Sequence, residues 1–473
     1  MFLNSRRIFA PIVCLYIAVM ASTLVKTACL IQTNIYGNFR HIKNSQSATC
    51  RLIYGITSYP SKGGRRSSST RETNANHVLS FYSPRYRMRF QHSCNLSDRP
   101  MSEEREESQF VIKPGCTVFE AITSSIQLLQ KRSVPEPEES VLHLLSSSLG
   151  LSWETGYREL RELMEASPSL TNSNVISPVQ RLANQSLTSD QSASYNSMLD
   201  RRLRNEPIQY IIGKWDFHML NEIIIRRPML CPRPETEELV EFVLRDVERL
   251  IKERESDVVG KRNDRIRILD VGAGTGAIGI AIATQYPNDV QVVALDVLNE
   301  AVELSNENAE KFVLPLIQRS TSDDNKDIHE LYHAILCSAQ DFTNKGIDRK
   351  PKQDYDMGFD IVVSNPPYIP SPDMDSLSAD VVEYESHRAL CGGNDGLDII
   401  RVIVERLGEW MSRSNNAKNP KKYCWLEVDD SHPRLLEQWL ACGSEESVKL
   451  GVEYCQCQKD FCGKDRFVKL QVL

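Results

Sequence analysis

Residues 266–276 read Ile-Arg-Ile-Leu-Asp-Val-Gly-Ala-Gly-Thr-Gly, an apolar run that breaks into alternating glycines before the helical stretch Ile278 to Ala283. The run Ile266 to Val271 predicts a buried strand, and the glycines allow a sharp turn into a helix and close approach of backbone to a ligand. Working outward, further strands are predicted at Val290 to Asp296, Phe359 to Ser364 and Tyr423 to Val428, separated by helical patterns. That alternation predicts an α/β fold with a doubly wound, parallel sheet. Asp296 closes the strand after the glycine loop, where a carboxylate can accept hydrogen bonds from both hydroxyls of a ribose. A GxGxG turn serves dinucleotides and S-adenosylmethionine alike, and its spacing does not separate them.

The motif at the end of the Phe359 to Ser364 strand does separate them. Asn365, Pro366, Pro367 and Tyr368 put a polar side chain and a rigid turn at the carboxyl edge of the sheet, where ligands bind in this architecture. An amide or exocyclic amine is a poor nucleophile because its lone pair is delocalised. Methylating one requires two acceptors that hold its N–H groups and aim the nitrogen at the methyl carbon. The Asn365 side-chain oxygen and the Pro366 carbonyl are candidates for these, with Tyr368 as a flat wall against the planar group. No general base is obligatory, since the methylated nitrogen becomes acidic and loses its proton afterwards.

Upstream, Val118, Phe119, Ile122, Ile126 and Leu129 recur at helical spacing, and Val141, Leu144, Leu145 and Leu149 repeat the pattern after the breaker Pro135 to Pro137. Tyr157, Leu160, Leu163 and Met164 predict a third helix, and Met198 to Leu203 closes a fourth after a Ser/Asn-rich connection. These features divide the chain into a leader over 1–100, a small helical domain over 101–206, a linker over 207–222 and a catalytic domain over 223–473. Glu222 to Arg226 reads as a strand, and Thr236 reads as the cap of the helix carrying Leu239, Val240, Val243 and Leu244. The segment 313–358 is too long for an ordinary connection and carries the polar run Arg319 to Asp327, so it is assigned as an insertion.

Charge is distributed unevenly. The first 100 residues hold 14 Lys/Arg against only Glu72 and Asp98, a balance of +12, and the overall −7 therefore leaves −19 on the remainder. A body that acidic is repelled by a phosphate backbone, so no stable nucleic-acid binding is expected. Arg6 and Arg7 precede the uncharged stretch Phe9 to Val25, and a basic, serine-rich tract follows. This order reads as targeting, first to the mitochondrion, with a bipartite plastid leader as the alternative. Pro11 interrupts the apolar stretch, so no permanent membrane span is expected in the mature form. The 13 cysteines form no CxxC pair. Cys455, Cys457 and Cys462 lack a fourth ligand and read as strand and turn thiols, with no metal.

At these residues the sequence resembles the HemK/PrmC family of glutamine N5-methyltransferases, from about Thr117 to the C-terminus. Pro207 to Phe217 resembles the family's linker, Pro232 to Glu237 its RPETE signature, Asp270 to Gly276 its cofactor loop, and Lys459 to Phe467 its closing segment. The resemblance implies a Rossmann-like class I S-adenosylmethionine methyltransferase, mostly parallel with a C-terminal antiparallel hairpin. It also implies a helical domain that docks a peptide chain release factor, whose Gly-Gly-Gln loop is methylated on the glutamine. By motif, Gly272, Gly274 and Gly276 line the methionine portion together with Ala273 and Thr275, Asp296 takes the ribose, and Asn365 to Tyr368 take the glutamine amide. Adenine contacts are expected between Ser338 and Phe342, with Asp341 and Phe342 as candidates. The sequence departs from the family after Leu426 and Glu427, where Val428, Asp429 and Asp430 replace the usual Gly and Gln.

Two rivals follow from the same residues. The four-residue motif also occurs in adenine-N6 methyltransferases of nucleic acids, which require a basic target-reading module that the acidic body does not offer. The other rival is an inactive binding protein that keeps the fold, against which the intact Gly272 to Gly276, Asp296 and Asn365 to Tyr368 speak.

Overall fold

The computed structural model describes residues 110–165, 178–256, 265–320, 328–343, 358–411 and 421–473. The assigned leader lies outside the described residues. The helical stripes become α1 (Val118–Lys131), α2 (Pro137–Ser148), α3 (Trp153–Glu165), α4 (Pro178–Ala183) and α5 (Ser189–Leu203). Val118, Ile122 and Leu129 of α1 pack with Val141, Leu144 and Leu145 of α2 in one core. The last part of the Ser/Asn-rich stretch assigned as a connection, from Ser189, belongs instead to the first half of α5, while 166–177 lie outside the described residues. Thr188 and Gln191 form a capping box there, so two orphan N–H groups at the helix start find side-chain partners and the helix begins early. Arg202 on α5 is 2% exposed yet fully engaged, donating to the Ser140 hydroxyl and to the Glu206 and Pro135 carbonyls.

The segment assigned as a linker is structured. It forms α6 (Ile208–Ile212) and an antiparallel pair, β1 (Lys214–Phe217) and β2 (Leu220–Ile224), so a boundary at 222 would cut β2. Trp215, Phe217, Leu220 and Ile223 are buried, which explains why this stretch docks rather than hangs free. The Asn308 side chain exchanges hydrogen bonds with the Ile224 backbone and also donates to the Thr275 carbonyl, tying the pair to the glycine loop.

Helix α7 (Pro234–Ser256) then leads to β3 (Ile266–Val271), α8 (Ala277–Gln285), β4 (Val290–Asp296), α9 (Asn299–Phe312) and α10 (Leu314–Ser320). Strand β5 (Tyr332–Leu336) and β6 (Ile361–Ser364) follow, then α11 (Ala379–Tyr384), α12 (His387–Leu390), α13 (Asp398–Trp410), β7 (Lys422–Glu427), α14 (His432–Trp439), α15 (Glu445–Leu450), β8 (Val452–Lys459) and β9 (Asp465–Val472). The segment 313–358 is therefore not all insertion. It contains α10 and the strand β5, which pairs in parallel with β4; Tyr332 is buried at its start. Most of the polar run, 321–327, and residues 344–357 lie outside the described residues.

The large sheet has the order β5-β4-β3-β6-β7-β9-β8, parallel from β5 to β7 and closed by the antiparallel β9 and β8. This is the doubly wound, parallel sheet that the alternation predicts, with the C-terminal hairpin that the family resemblance implies. β3 is central and buried on both faces, which is why Ile-Arg-Ile-Leu-Asp-Val is nearly continuous in apolar character. The chain winds outward from β3 through β4 to β5, then returns to β6 on the other side. The reversal lies between β3 and β6, and in this architecture the carboxyl ends of the strands at such a reversal are where ligands bind.

Candidate active site

Both predicted motifs sit at that reversal. Val271 pairs with Ser364, so the glycine loop and the Asn365 to Tyr368 turn leave neighbouring strands side by side. Gly272, Gly274 and Gly276 all adopt positive φ, the left-handed region that a side chain disfavours. At Gly276 a Cβ would also stand 2.6 Å from the Ser305 hydroxyl and 2.9 Å from that of Tyr332, so the turn is sterically closed on this side. A Cβ on Gly274 would meet nothing within 4 Å, which leaves that side of the loop open. Gly272 and Ala273 donate to the Leu295 carbonyl, anchoring the loop to β4. Thr275 is buried and builds the loop from within.

Asp296, at the end of β4, accepts from the Gly274 and Leu298 N–H groups. Its carboxyl is pushed above the usual range by burial, with those donors opposing the shift. Asp270 lies beneath the loop, fully buried, accepting from the Gly279 N–H, and burial pushes it up to about 7. Open space at Gly274, with the Asp296 carboxylate bonded to the N–H of that glycine, fits S-adenosylmethionine: the loop would hold the methionine portion and Asp296 the ribose. When bound, that group supplies an electrophilic methyl on a sulfonium centre.

On the neighbouring turn, the Asn365 side chain donates through Nδ2 to Thr236 Oγ1 at 3.1 Å. Thr236 in turn donates to Glu427 Oε2 at 2.8 Å, and the Tyr368 hydroxyl reaches Glu427 Oε1 at 3.4 Å. Thr236 is thus not the helix cap that its position before an apolar stripe predicted. α7 begins at Pro234, whose missing N–H is no loss at a helix start, and this frees the threonine hydroxyl for the site. With Nδ2 committed to Thr236, Oδ1 is the end of the Asn365 amide left for a ligand N–H. Pro366 and Pro367 fix the backbone that follows. The Arg466 guanidinium carbon lies 5.9 Å from the centre of the Tyr368 ring, and burial raises the phenol.

The turn is buttressed by residues that the sequence reading passed over. A Cβ on Gly392 would stand 2.6 Å from the Pro367 carbonyl oxygen, so only glycine lets the 392–396 loop lie against the motif. The cluster Gly-Gly-Asn-Asp-Gly was the signal available for it. One guanidinium nitrogen of Arg233, Nη2, donates to both carboxylate oxygens of the buried Glu385, at 2.8 and 2.9 Å, holding the segment after the motif against the start of α7. Glu427, 1% exposed after the apolar run Tyr423 to Leu426, was legible as a buried charge needing a reason. Phe342, an expected adenine contact, is fully buried instead. It packs against Phe359 and Trp410, and its carbonyl accepts from the Trp410 indole, so the side chain belongs to the core. Asp341 is exposed and accepts from the Ser338 hydroxyl. Cys455 and Cys457 lie on β8, and Cys462 in the turn before β9.

A glycine loop, a carboxylate closing the next strand and an Asn-Pro-Pro-Tyr turn at one reversal of a mostly parallel sheet define a class I S-adenosylmethionine-dependent methyltransferase. Residues 175–213 match the PrmC N-terminal domain and residues 257–339 the methyltransferase small domain. The human MTRF1L release factor glutamine methyltransferase is 30% identical over 355 residues, covering 75% of this chain and 87% of that protein. The release factor glutamine methyltransferases of Geobacter sulfurreducens and Bacillus anthracis are 31% and 33% identical, over 79% and 65% of their own lengths and 60% and 47% of this chain. The chain belongs to the release factor glutamine methyltransferase family.

Proposed function

We propose that this enzyme transfers a methyl group from S-adenosylmethionine to the side-chain amide nitrogen of the glutamine in the Gly-Gly-Gln loop of a peptide chain release factor. The observation that carries this reading is the Asn365 to Thr236 hydrogen bond. It commits the donor end of Asn365 and leaves an acceptor beside the cofactor loop, the complement of a neutral amide. The Pro366 carbonyl supplies the second acceptor, Tyr368 the wall, and Gly272 to Gly276 with Asp296 the cofactor cradle. Holding both N–H groups aims the nitrogen and stabilises the positive charge that grows on it during transfer. The helices over 101–206 serve as the docking domain for the release factor, and 223–473 as the catalytic domain.

The −19 balance of the chain beyond residue 100 supports a protein substrate over a nucleic acid. The basic leader supports an organellar destination, the mitochondrion in this reading and the plastid as its alternative. Among the described residues no helix is long and apolar enough to cross a membrane.

The test is methyl transfer from labelled S-adenosylmethionine to three acceptors: an organellar release factor, its loop Gln→Ala variant, and duplex DNA. Label on the intact factor alone is the expected result. Label on DNA would replace this reading with the base-modifying one, and failure to bind the cofactor would revive an inactive binding protein. Import of the radiolabelled full chain into isolated mitochondria and chloroplasts separates the two destinations.

A further inference from the structure

The chain Asn365, Thr236, Glu427 has a direction. A threonine hydroxyl carries one hydrogen, and here it is given to Glu427 Oε2 at 2.8 Å. Thr236 Oγ1 can then only accept from Asn365, so the amide must present Nδ2 to it, at 3.1 Å, and Oδ1 to the other side. A proton on Glu427 Oε2 would reverse this. The carboxylic acid would donate to Thr236, the hydroxyl hydrogen would turn toward Asn365, and the amide would be drawn to offer its oxygen to Thr236. Its N–H₂ would then meet the N–H₂ of a substrate amide, donor against donor.

We propose that Thr236 and Glu427 are positioning residues that set which end of the Asn365 amide faces the substrate, and that ionised Glu427 is the competent state. This rests on the amide-methyltransferase reading and adds to it a control on the same site. The surroundings place the switch within reach. Glu427 is enclosed by Thr236 and Glu235 from α7, Tyr368 from the turn after β6, and Arg466 from β9. Burial, reinforced by Glu235, pushes its carboxyl up to about 7, against the pull of Thr236, Arg466 and Tyr368. Acid therefore disarms the site through Glu427 without protonating the substrate or Asn365.

The test follows the side chains directly. In the full chain with ¹⁵N-labelled asparagine and ¹³C-carboxyl glutamate, the Glu427 and Asn365 signals are recorded between about pH 5.5 and pH 8.5, the range that brackets such a shifted carboxyl. The expected result is that the Asn365 amide moves with the same midpoint as Glu427, and that Thr236→Val abolishes this coupling. An Asn365 amide that stays still across the range, or one that keeps its coupling in Thr236→Val, overturns the proposal. In parallel, Thr236→Val is expected to lower kcat for methyl transfer roughly 100-fold with the KM for S-adenosylmethionine unchanged, the size of effect that misorientation produces. Thr236→Ser, which keeps the hydroxyl, recovers most of that loss. Coupling without any transfer to a release factor would sink the substrate reading and leave the relay standing; transfer without coupling does the opposite.

Discussion

The Ser364 hydroxyl donates to the Val271 carbonyl at 2.6 Å, joining the last residues of the two strands from which the glycine loop and the Asn365 to Tyr368 turn depart. Because the two residues are also register partners, the loops begin at one height on the sheet and diverge only beyond it. The separation of the two loops at their roots is thus set by strand pairing. Loop sequence then tunes what the site recognises.

Removing the acceptor should separate chemistry from binding. Asn365→Ala is expected to lower methyl transfer by roughly 100- to 1000-fold, the cost of losing one preorganised polar contact to a developing charge. Affinity for S-adenosylmethionine, measured by titration calorimetry, should remain close to that of the unaltered enzyme, because Asn365 is assigned to the amide and not to the ribose. Lost affinity with retained turnover would reverse that assignment.

Two glycines of one loop should fail in different ways. Gly276→Ala puts a methyl group into the Ser305 and Tyr332 hydroxyls at a positive φ, and should cost about 1–3 kcal/mol of stability in urea denaturation. Gly274→Ala meets no neighbour, so it should carry only the milder left-handed penalty of about 1 kcal/mol. It should nonetheless weaken the cofactor, whose space the new methyl group would enter.

Breaking the Arg233 to Glu385 pair leaves a carboxylate buried, its side chain 1% exposed. Arg233→Ala should therefore destabilise the protein by about 3 kcal/mol, the low end for a severed buried pair because Arg233 itself is partly exposed. Glu385→Gln, which leaves a neutral amide in place of a bare charge, should cost less. Thermal melting of the two variants orders them, and equal losses would mean the pair is not held as described.

Asp270 gives a pH dependence of defined sign. Its folded pKa, about 7, lies above the ordinary aspartate value of 3.8 because burial disfavours the charge. The stability that goes with this shift is fully present below about pH 4 and is lost as pH rises toward 7, since the unfolded chain gives up the proton first. Asp270→Asn keeps an acceptor for the Gly279 N–H and cannot titrate. Its melting temperature should thus vary less between about pH 4 and pH 7 than that of the unaltered protein. Identical pH profiles would show that Asp270 is already ionised in the folded state.

The sequence by itself determined the β3 strand and its glycine turn, the strands β4, β6 and β7 and the Asn-Pro-Pro-Tyr edge. Each depends on local rules: apolar continuity for a strand buried on both faces, and backbone freedom or rigidity at a turn. It also placed Asp296 at the end of β4, because the apolar run before it reads as a buried strand. Strand β5 stayed hidden, since five residues flanked by a polar run offer too little pattern to distinguish a strand from a loop. Phe342 was misread because an aromatic residue near a site looks the same in sequence whether it faces a ligand or the core. Only the tertiary structure decided that Thr236 faces Glu427, 191 positions away, and that Asn365 is held through Thr236. The direction of a hydrogen bond between distant residues depends on which side chains the packing brings together, and no local property of either residue encodes that.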